Sequence, residues 1–425
     1  MAINIPRGWE AVVLFFSGGR LSLLVTMASK FGIAVMGGVS AAVVATVSGQ
    51  KALGYFALVR IVPAIFVLLT EFGISNSYPF MIKRAANDAK CVYRSGVFCI
   101  LIIFVIQICA WGMASPALNR IFFEDFTVGT VVIIGAIAPL QVIHLHATNL
   151  LRAVDRVRDA NAILFLNEFL LAIFLTYLAI VSRMSNETIL ASVIFASLIV
   201  AIGSVVWLWR AGYKFIPSYN KSILKNSVRY GVKSQVGNAF QVLNYRLDQL
   251  LIGGFIGAAD LGLYAVASKA AELFKVFSKS IVFVLEPLLA GTEVSESRRV
   301  VERNYINVFS INFGFMLFGV FIVPLVIPFF FGDWSESSIL PFYILALGVV
   351  VGGGNGLIGA YNFSIGEPEL NTKVIAIGLA TAIISNIGLV PLFGVMGAAW
   401  ASVITQCVVT VSFGIQFLRR PKYPS

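Results

Sequence analysis

GQKALGYFA, Gly49 to Ala57, returns 208 residues later as GAADLGLYA, Gly257 to Ala265. Gly49, Leu53, Gly54 and Ala57 fall on Gly257, Leu261, Gly262 and Ala265, and further on Phe66 meets Phe274 and Pro79 meets Pro287. Leu and Ala matches are cheap in apolar sequence; the Gly and Pro pairs carry the weight. The offset is about half of the 425 residues, so the chain reads as one plan built twice.

That plan lies in a membrane. Of all residues 59% are apolar and 12% charged, and the mean hydropathy is +0.90, far from the ~25% charged of soluble chains. The apolar runs are continuous over about 20 residues rather than alternating, which argues for helices and against a barrel. Twelve spans are expected: 21–47, 54–80, 92–114, 128–150, 160–181 and 189–209, then 228–256, 261–290, 305–331, 338–363, 372–392 and 395–417. An amphipathic segment, 1–20, is expected at the interface, with lobes at 21–212 and 228–418, a linker at 213–227 and a tail at 419–425. The fold class is thus an all-α polytopic membrane protein: two pseudo-symmetric six-helix lobes around a central cavity. Because six is even, both repeats point the same way, related by an axis along the membrane normal.

The loop charges orient the bundle. Of the 31 Lys and Arg, 21 fall in loops on the side of the termini and only Lys51, Arg120 and Arg183 on the other. This is the positive-inside pattern, with both termini cytoplasmic. The net charge of +11 is explained by that spread rather than by nucleic acid. Glu10 interrupts the start, and no cleavable signal peptide is expected. The four cysteines (Cys91, Cys99, Cys109 and Cys407) have no ligand-like spacing and read as reduced packing residues. His144 and His146 read as packing or interfacial, and no metal site is expected.

Seven bases remain inside the spans: Lys30, Arg60, Lys233, Arg246, Lys269, Lys275 and Lys279. All lie in spans one, two, seven and eight, as do Glu71, Asp248, Glu272 and Glu286; Glu168 in span five stands apart. Charge within lipid is costly and faces a bundle interior or water, so these four spans should line a wet cavity between the lobes. Lys269 and Lys233, near span ends, also suit snorkelling. Within LNYRLDQLL (Leu243–Leu251), Arg246 and Asp248 point to different sides and should seek separate partners. The offset equates Glu71 with Lys279, an expected pair across the cleft in one conformation. GVVVGGGNG, Gly348 to Gly356, lacks the ending of a phosphate loop and should serve close packing or bending. Pro63, Pro324 and Pro328 are further candidate bends.

Three stretches carry a family resemblance: NYRLDQLLIGGFIGAADLGLYAVASKAAELF (Asn244–Phe274), EFGISNSYPFMIKRAA (Glu71–Ala86) and IGEPELNTKV (Ile365–Val374). With the span count and two-lobed plan, the chain resembles the Wzx-type polysaccharide flippases of the multidrug/oligosaccharidyl-lipid/polysaccharide exporter superfamily. The resemblance implies translocation of an undecaprenyl-pyrophosphate-linked oligosaccharide, an O-antigen or exopolysaccharide repeat unit. Movement would run from the cytoplasmic to the periplasmic leaflet of a bacterial inner membrane, by alternating access and without an enzymatic step. It implies Arg60, Arg246, Lys275 and Lys279, with Lys30 as a weaker member, at the anionic headgroup. Glu71, Asp248, Glu272 and Glu286 become candidates for gating or ion coupling, with proton and sodium both open. No cofactor is expected. The partners implied are the lipid-linked oligosaccharide and membrane lipids, with polysaccharide polymerase machinery a further candidate.

Two rivals stand beside this reading. A multidrug or metabolite exporter would want a cavity rich in acids, and the seven bases argue against that. A membrane-embedded polymerase would want a long outer loop with catalytic residues. The short outer loops hold little that ionises beyond Glu124, Asp125, Glu187, Asp260, Asp333 and Glu336.

Overall fold

The computed structural model describes residues 21–84, 87–290 and 294–419. The interfacial segment expected at 1–20 and all but the first residue of the tail lie outside these, as does the side chain of Glu286. Every regular element described is helical: α1 (Leu21–Thr70), α2 (Ala89–Phe122), α3 (Val128–Ile134), α4 (Ile137–Ala153), α5 (Val157–Ile180) and α6 (Asn186–Arg210). The second half holds α7 (Lys221–Phe255), α8 (Ala258–Ala290), α9 (Val294–Phe331), α10 (Ile339–Gly352), α11 (Asn355–Ser364) and α12 (Glu369–Leu418). Short polar side chains set several starts: Asp88, Thr127, Ser185 and Asn220 each accept a hydrogen bond from the backbone N–H three residues on.

Two of these helices are hairpins. α1 and α12 each run 50 residues, ~75 Å if straight against a hydrocarbon core of ~30 Å. α1 breaks at Gly49 (φ 81°) and α12 at Gly394 (φ 58°), left-handed conformations that glycine adopts without a Cβ penalty. Ile33 and Ile61 line one cavity, although a continuous helix would hold them ~42 Å apart. A Cβ on Gly397 would overlap the carbonyl oxygen of Leu389, eight residues earlier, which only a reversal allows. Among the described residues eight stretches are long and apolar enough to cross a membrane. The two hairpins count twice, and α7 and α8, which carry the buried charge, complete twelve. The spans expected at 128–150 and 338–363 are both present but broken, between α3 and α4 at Gly135 and between α10 and α11 at Gly353–Gly354.

The repeat is real in space. Gly257, the equivalent of Gly49, also has positive φ (125°). A Cβ on Gly54 would overlap the carbonyl oxygen of Ala258, and one on Gly262 would overlap that of Gln50. Those four residues are two equivalent pairs, so each lobe grips the other by the same contact, as a two-fold axis requires. Gln50 Nε2 adds a hydrogen bond to the Ala259 carbonyl at 2.9 Å. One apolar core runs across this seam, from Leu53, Leu58 and Val59 to Leu261, Tyr264 and Ala398.

The seam lies at the end of the bundle with few basic loops, where loops expected on one side do meet. Lys51 Nζ lies 2.5 Å from Asp125 Oδ2, tying the first and second loops of that end. Beside the Lys51 ammonium the Asp125 carboxyl is held below its ordinary value. A depressed carboxyl contributes stability above its unfolded pKa, lost as pH falls through the folded one. Lys51→Gln should therefore lower melting slightly at neutral pH, since both groups are half exposed, and should lessen its fall below about pH 4 by the same small amount. An identical acid profile in the variant would refute the linkage.

The basic end is less symmetric. There the backbones of Gly73 and Gly231 approach so closely that a Cβ on either would overlap the other's carbonyl. Asn76 Nδ2 donates to Gln235 Oε1 at 3.1 Å, and Phe80 stacks on Tyr230. The equivalent positions across the axis are Ile281 and Leu23, so the glycine pair is not repeated.

Candidate functional site

Between the lobes, α7 separates two cavities. The first, about 420 Å³, is lined from both arms of α1 and from α4 to α9. Its charged members are Arg60, Glu168, Arg246 and Lys269, and Gln141, His144, Asn167 and Gln249 add polar groups. The second, about 450 Å³, lies within the C-terminal lobe against α7, α8 and α10 to α12. It holds Lys275 and Lys279 with Gln241, Asn244, Tyr245, Ser278, Asn355, Asn371 and Gln406. The wet cavity expected along spans one, two, seven and eight is thus wider, drawing walls from most of both lobes.

Helix phase explains how α7 serves both. Val242, Arg246 and Gln249, at spacings of four and three, face the first cavity, while Gln241, Asn244 and Tyr245 face the second. Towards the basic end α7 buries a single stripe, Ile223, Ser227, Gly231 and Gln235. It leaves Lys233, Asn238 and Gln241 exposed, a polar surface that suits water rather than lipid.

The partners of the buried charges differ from residue to residue. Arg60 Nη2 donates to Glu168 Oε1 on α5, a partner that sequence reading set aside as a stray acid. Glu168 in turn lies against Gly37 of the first arm, where a Cβ would be 3.3 Å from Oε2. Arg246 Nη1 donates to Gln249 Oε1 at 3.2 Å, leaving the rest of its guanidinium towards the first cavity. As expected, Asp248 goes elsewhere. It accepts from Tyr264 on α8, from Ser402 Oγ on α12 at 3.4 Å and from the Gln249 N–H at 2.7 Å. Lys275 and Lys279 stand over the ring of Tyr245, at 5.9 and 5.7 Å from its centroid. Lys269 Nζ lies 3.4 Å from Glu272 Oε2 one turn along. Lys30 is exposed on the first arm of α1 and lines neither cavity.

Glu71 is not paired with Lys279 in this conformation. It is 1% exposed, accepts from the Ser75 N–H at 2.6 Å, and lies 3.2 Å from His146 Nε2, whose Nδ1 meets the Tyr78 hydroxyl at 2.6 Å. Asn149 extends this network through Ser75 (2.8 Å), and none of these residues lines the C-terminal cavity. The repeat equates positions; it does not bring them together away from the axis. His146, read as packing or interfacial, is the hinge of that network.

Residues 43–339 match the model of a family described as polysaccharide biosynthesis protein. The chain belongs to this family. It is 24% identical over 204 residues to a probable low-salt glycan biosynthesis flippase of Haloferax volcanii, a match covering 46% of this chain and 42% of that protein. The chain spans less than half the length of the curated relatives it matches. An inward-facing multidrug-resistance transporter of the MATE family superposes with a TM-score of 0.76 at 14% identity, covering 91% of this chain and 94% of that one. The lipid II flippase MurJ, in an inward closed conformation, gives 0.72 at 13% identity over 94% and 88% of the two chains. At such identities the likeness establishes the fold: a transporter architecture of two six-helix lobes.

Proposed function

We propose that the protein flips an undecaprenyl-pyrophosphate-linked oligosaccharide between leaflets by alternating access. Its basic end faces the cytoplasm of a bacterial inner membrane, and release is to the periplasmic side. The observation that carries the reading is the charge on the cavity walls. Arg60, Arg246, Lys269, Lys275 and Lys279 line the two cavities, against Glu168 as the one lining carboxylate among the described residues. Such walls attract pyrophosphate and repel the cationic drugs of a multidrug exporter. Guanidiniums at Arg60 and Arg246 suit bidentate phosphate binding. The polyprenyl tail remains in lipid, reaching the headgroup through a lateral opening between the lobes. Lys30 and the 59% exposed Phe31 lie on the first arm of α1.

Asp248, bonded to Tyr264 and Ser402, fits a gating role because it links α7 to two other helices of its lobe. Glu272, beside Lys269, fits ion coupling or charge balance. Glu71 joins them as a coupling candidate through His146.

Vesicles containing the protein and an undecaprenyl-pyrophosphate glycan test the reading. Glycan should become accessible to an external lectin faster than in empty vesicles, and Arg246→Ala should slow it by about tenfold or more. No acceleration by the native protein overturns the function; full activity in the variant removes Arg246 from the site.

A further inference from the structure

The C-terminal cavity differs in kind from the first. Its basic groups are two ammoniums, one helical turn apart on α8 and sharing the ring of Tyr245. Among the described residues neither ammonium has a carboxylate within 4 Å, and no carboxylate lines this cavity; Glu272 and Asp248 act on Lys275 only from further off. Around them stand five side-chain amides: Gln241, Asn244, Asn355, Asn371 and Gln406. Asn244 Oδ1 and Asn355 Oδ1 are buried with no hydrogen-bond partner in the protein, a costly state for an isolated amide.

The glycine run Gly348–Gly356 gives the cavity its space. A Cβ on Gly352 would overlap Gln406 Oε1, and one on Gly353 would overlap Asn312 Nδ2. Bare backbone at the break between α10 and α11 thus lets polar amides sit where side chains would close the wall.

This is the chemistry of sugar recognition. Each sugar hydroxyl is donor and acceptor, as each amide is. The C–H face of a pyranose packs against an aromatic ring such as Tyr245. Paired ammoniums with no acid on the wall select a ring that itself carries negative charge. A volume of about 450 Å³ is small-ligand size, in the usual range of ~300–1,000 Å³. It therefore suits a terminal portion of a glycan.

We propose that the C-terminal cavity is a saccharide subsite for an acidic sugar, with the carboxylate at Lys275 and Lys279, the hydroxyls at Asn244 and Asn355, and the ring on Tyr245. The inference rests on the flippase reading for the origin of that sugar. It divides the substrate between the cavities: pyrophosphate with the guanidiniums, uronate-bearing glycan with the ammoniums.

The test uses the full chain in detergent with three probes: glucuronate, glucose and inorganic pyrophosphate, titrated by calorimetry. Glucuronate should bind about tenfold more tightly than glucose, the ratio that one charge-assisted hydrogen bond supplies. Lys275→Gln/Lys279→Gln should abolish that preference while keeping glucose binding, and Lys279→Arg should retain it. Asn355→Leu should weaken both sugars, and Lys225→Gln, an exposed lysine at the basic end, neither.

Equal affinity for glucose and glucuronate overturns the subsite. So does pyrophosphate that displaces glucuronate at equal concentration, because the ammoniums would then be holding the carrier's phosphates. If lipid-linked glycan is translocated but glucuronate shows no preference, the subsite falls and the flippase reading stands. If glucuronate is preferred and no glycan moves, the flippase reading falls and the subsite stands.

Discussion

Arg60→Gln should cut translocation of a lipid-linked pyrophosphate glycan by about two orders of magnitude, whereas Glu168→Gln should leave it within a few-fold of native. The asymmetry comes from what each change leaves behind. Without Arg60, the Glu168 carboxyl, 11% exposed, stays on the wall without its partner. A proposed anionic substrate then loses a cationic contact and gains an acidic neighbour. Without Glu168, the guanidinium stays and is freed for phosphate. Stability should move in the same direction. Removing one partner of a buried pair costs more than removing both, so Arg60→Gln should lower the melting temperature and adding Glu168→Gln should restore part of it. Arg60 is 31% exposed, and screening by water tempers the effect. Equal loss of transport in the two single variants would show the pair acting as one structural unit and sink Arg60 as an anion contact.

Gly54→Val and Gly262→Val should each destabilise the protein strongly, and the two together should do little more than either alone. Overpacking costs ~1–3 kcal/mol where side chains can shift aside. Here the obstacle is a backbone carbonyl, of Ala258 in one case and Gln50 in the other, and it cannot rotate away. Both variants force apart one seam, so the second has little left to break. Thermal melting of the two singles and the double measures this. Full additivity would mean that the contacts fail independently, which a shared two-fold seam does not allow.

Much of this architecture is legible in the sequence, because span length and loop charge are local properties. The match of Gly49–Ala57 to Gly257–Ala265 marks the turn between the first two spans of each lobe, and both glycines do carry positive φ. The internal breaks at Gly135 and Gly353 are not legible: a short α-helix followed by another reads as one apolar run. The separate destinations of Arg246 and Asp248 follow from helix phase alone. The partner of Arg60 does not, since Glu168 is 108 residues away and phase reports which face is polar, never which helix stands opposite. The partner of Glu71 is hidden for a related reason. The repeat equates it with Lys279, but equivalence alone does not bring two residues together, and Glu71 meets His146 within its own lobe.

Within nine residues α7 turns Arg246 and Gln249 to one chamber and Gln241, Asn244 and Tyr245 to the other, making it a partition with a furnished surface on each side. A partition cannot be pushed into one room without enlarging the next. Any displacement of this helix therefore tightens the grip on one half of a bound molecule as it loosens the grip on the other. For the substrate proposed above, capture of the headgroup and release of the glycan would be two sides of a single movement.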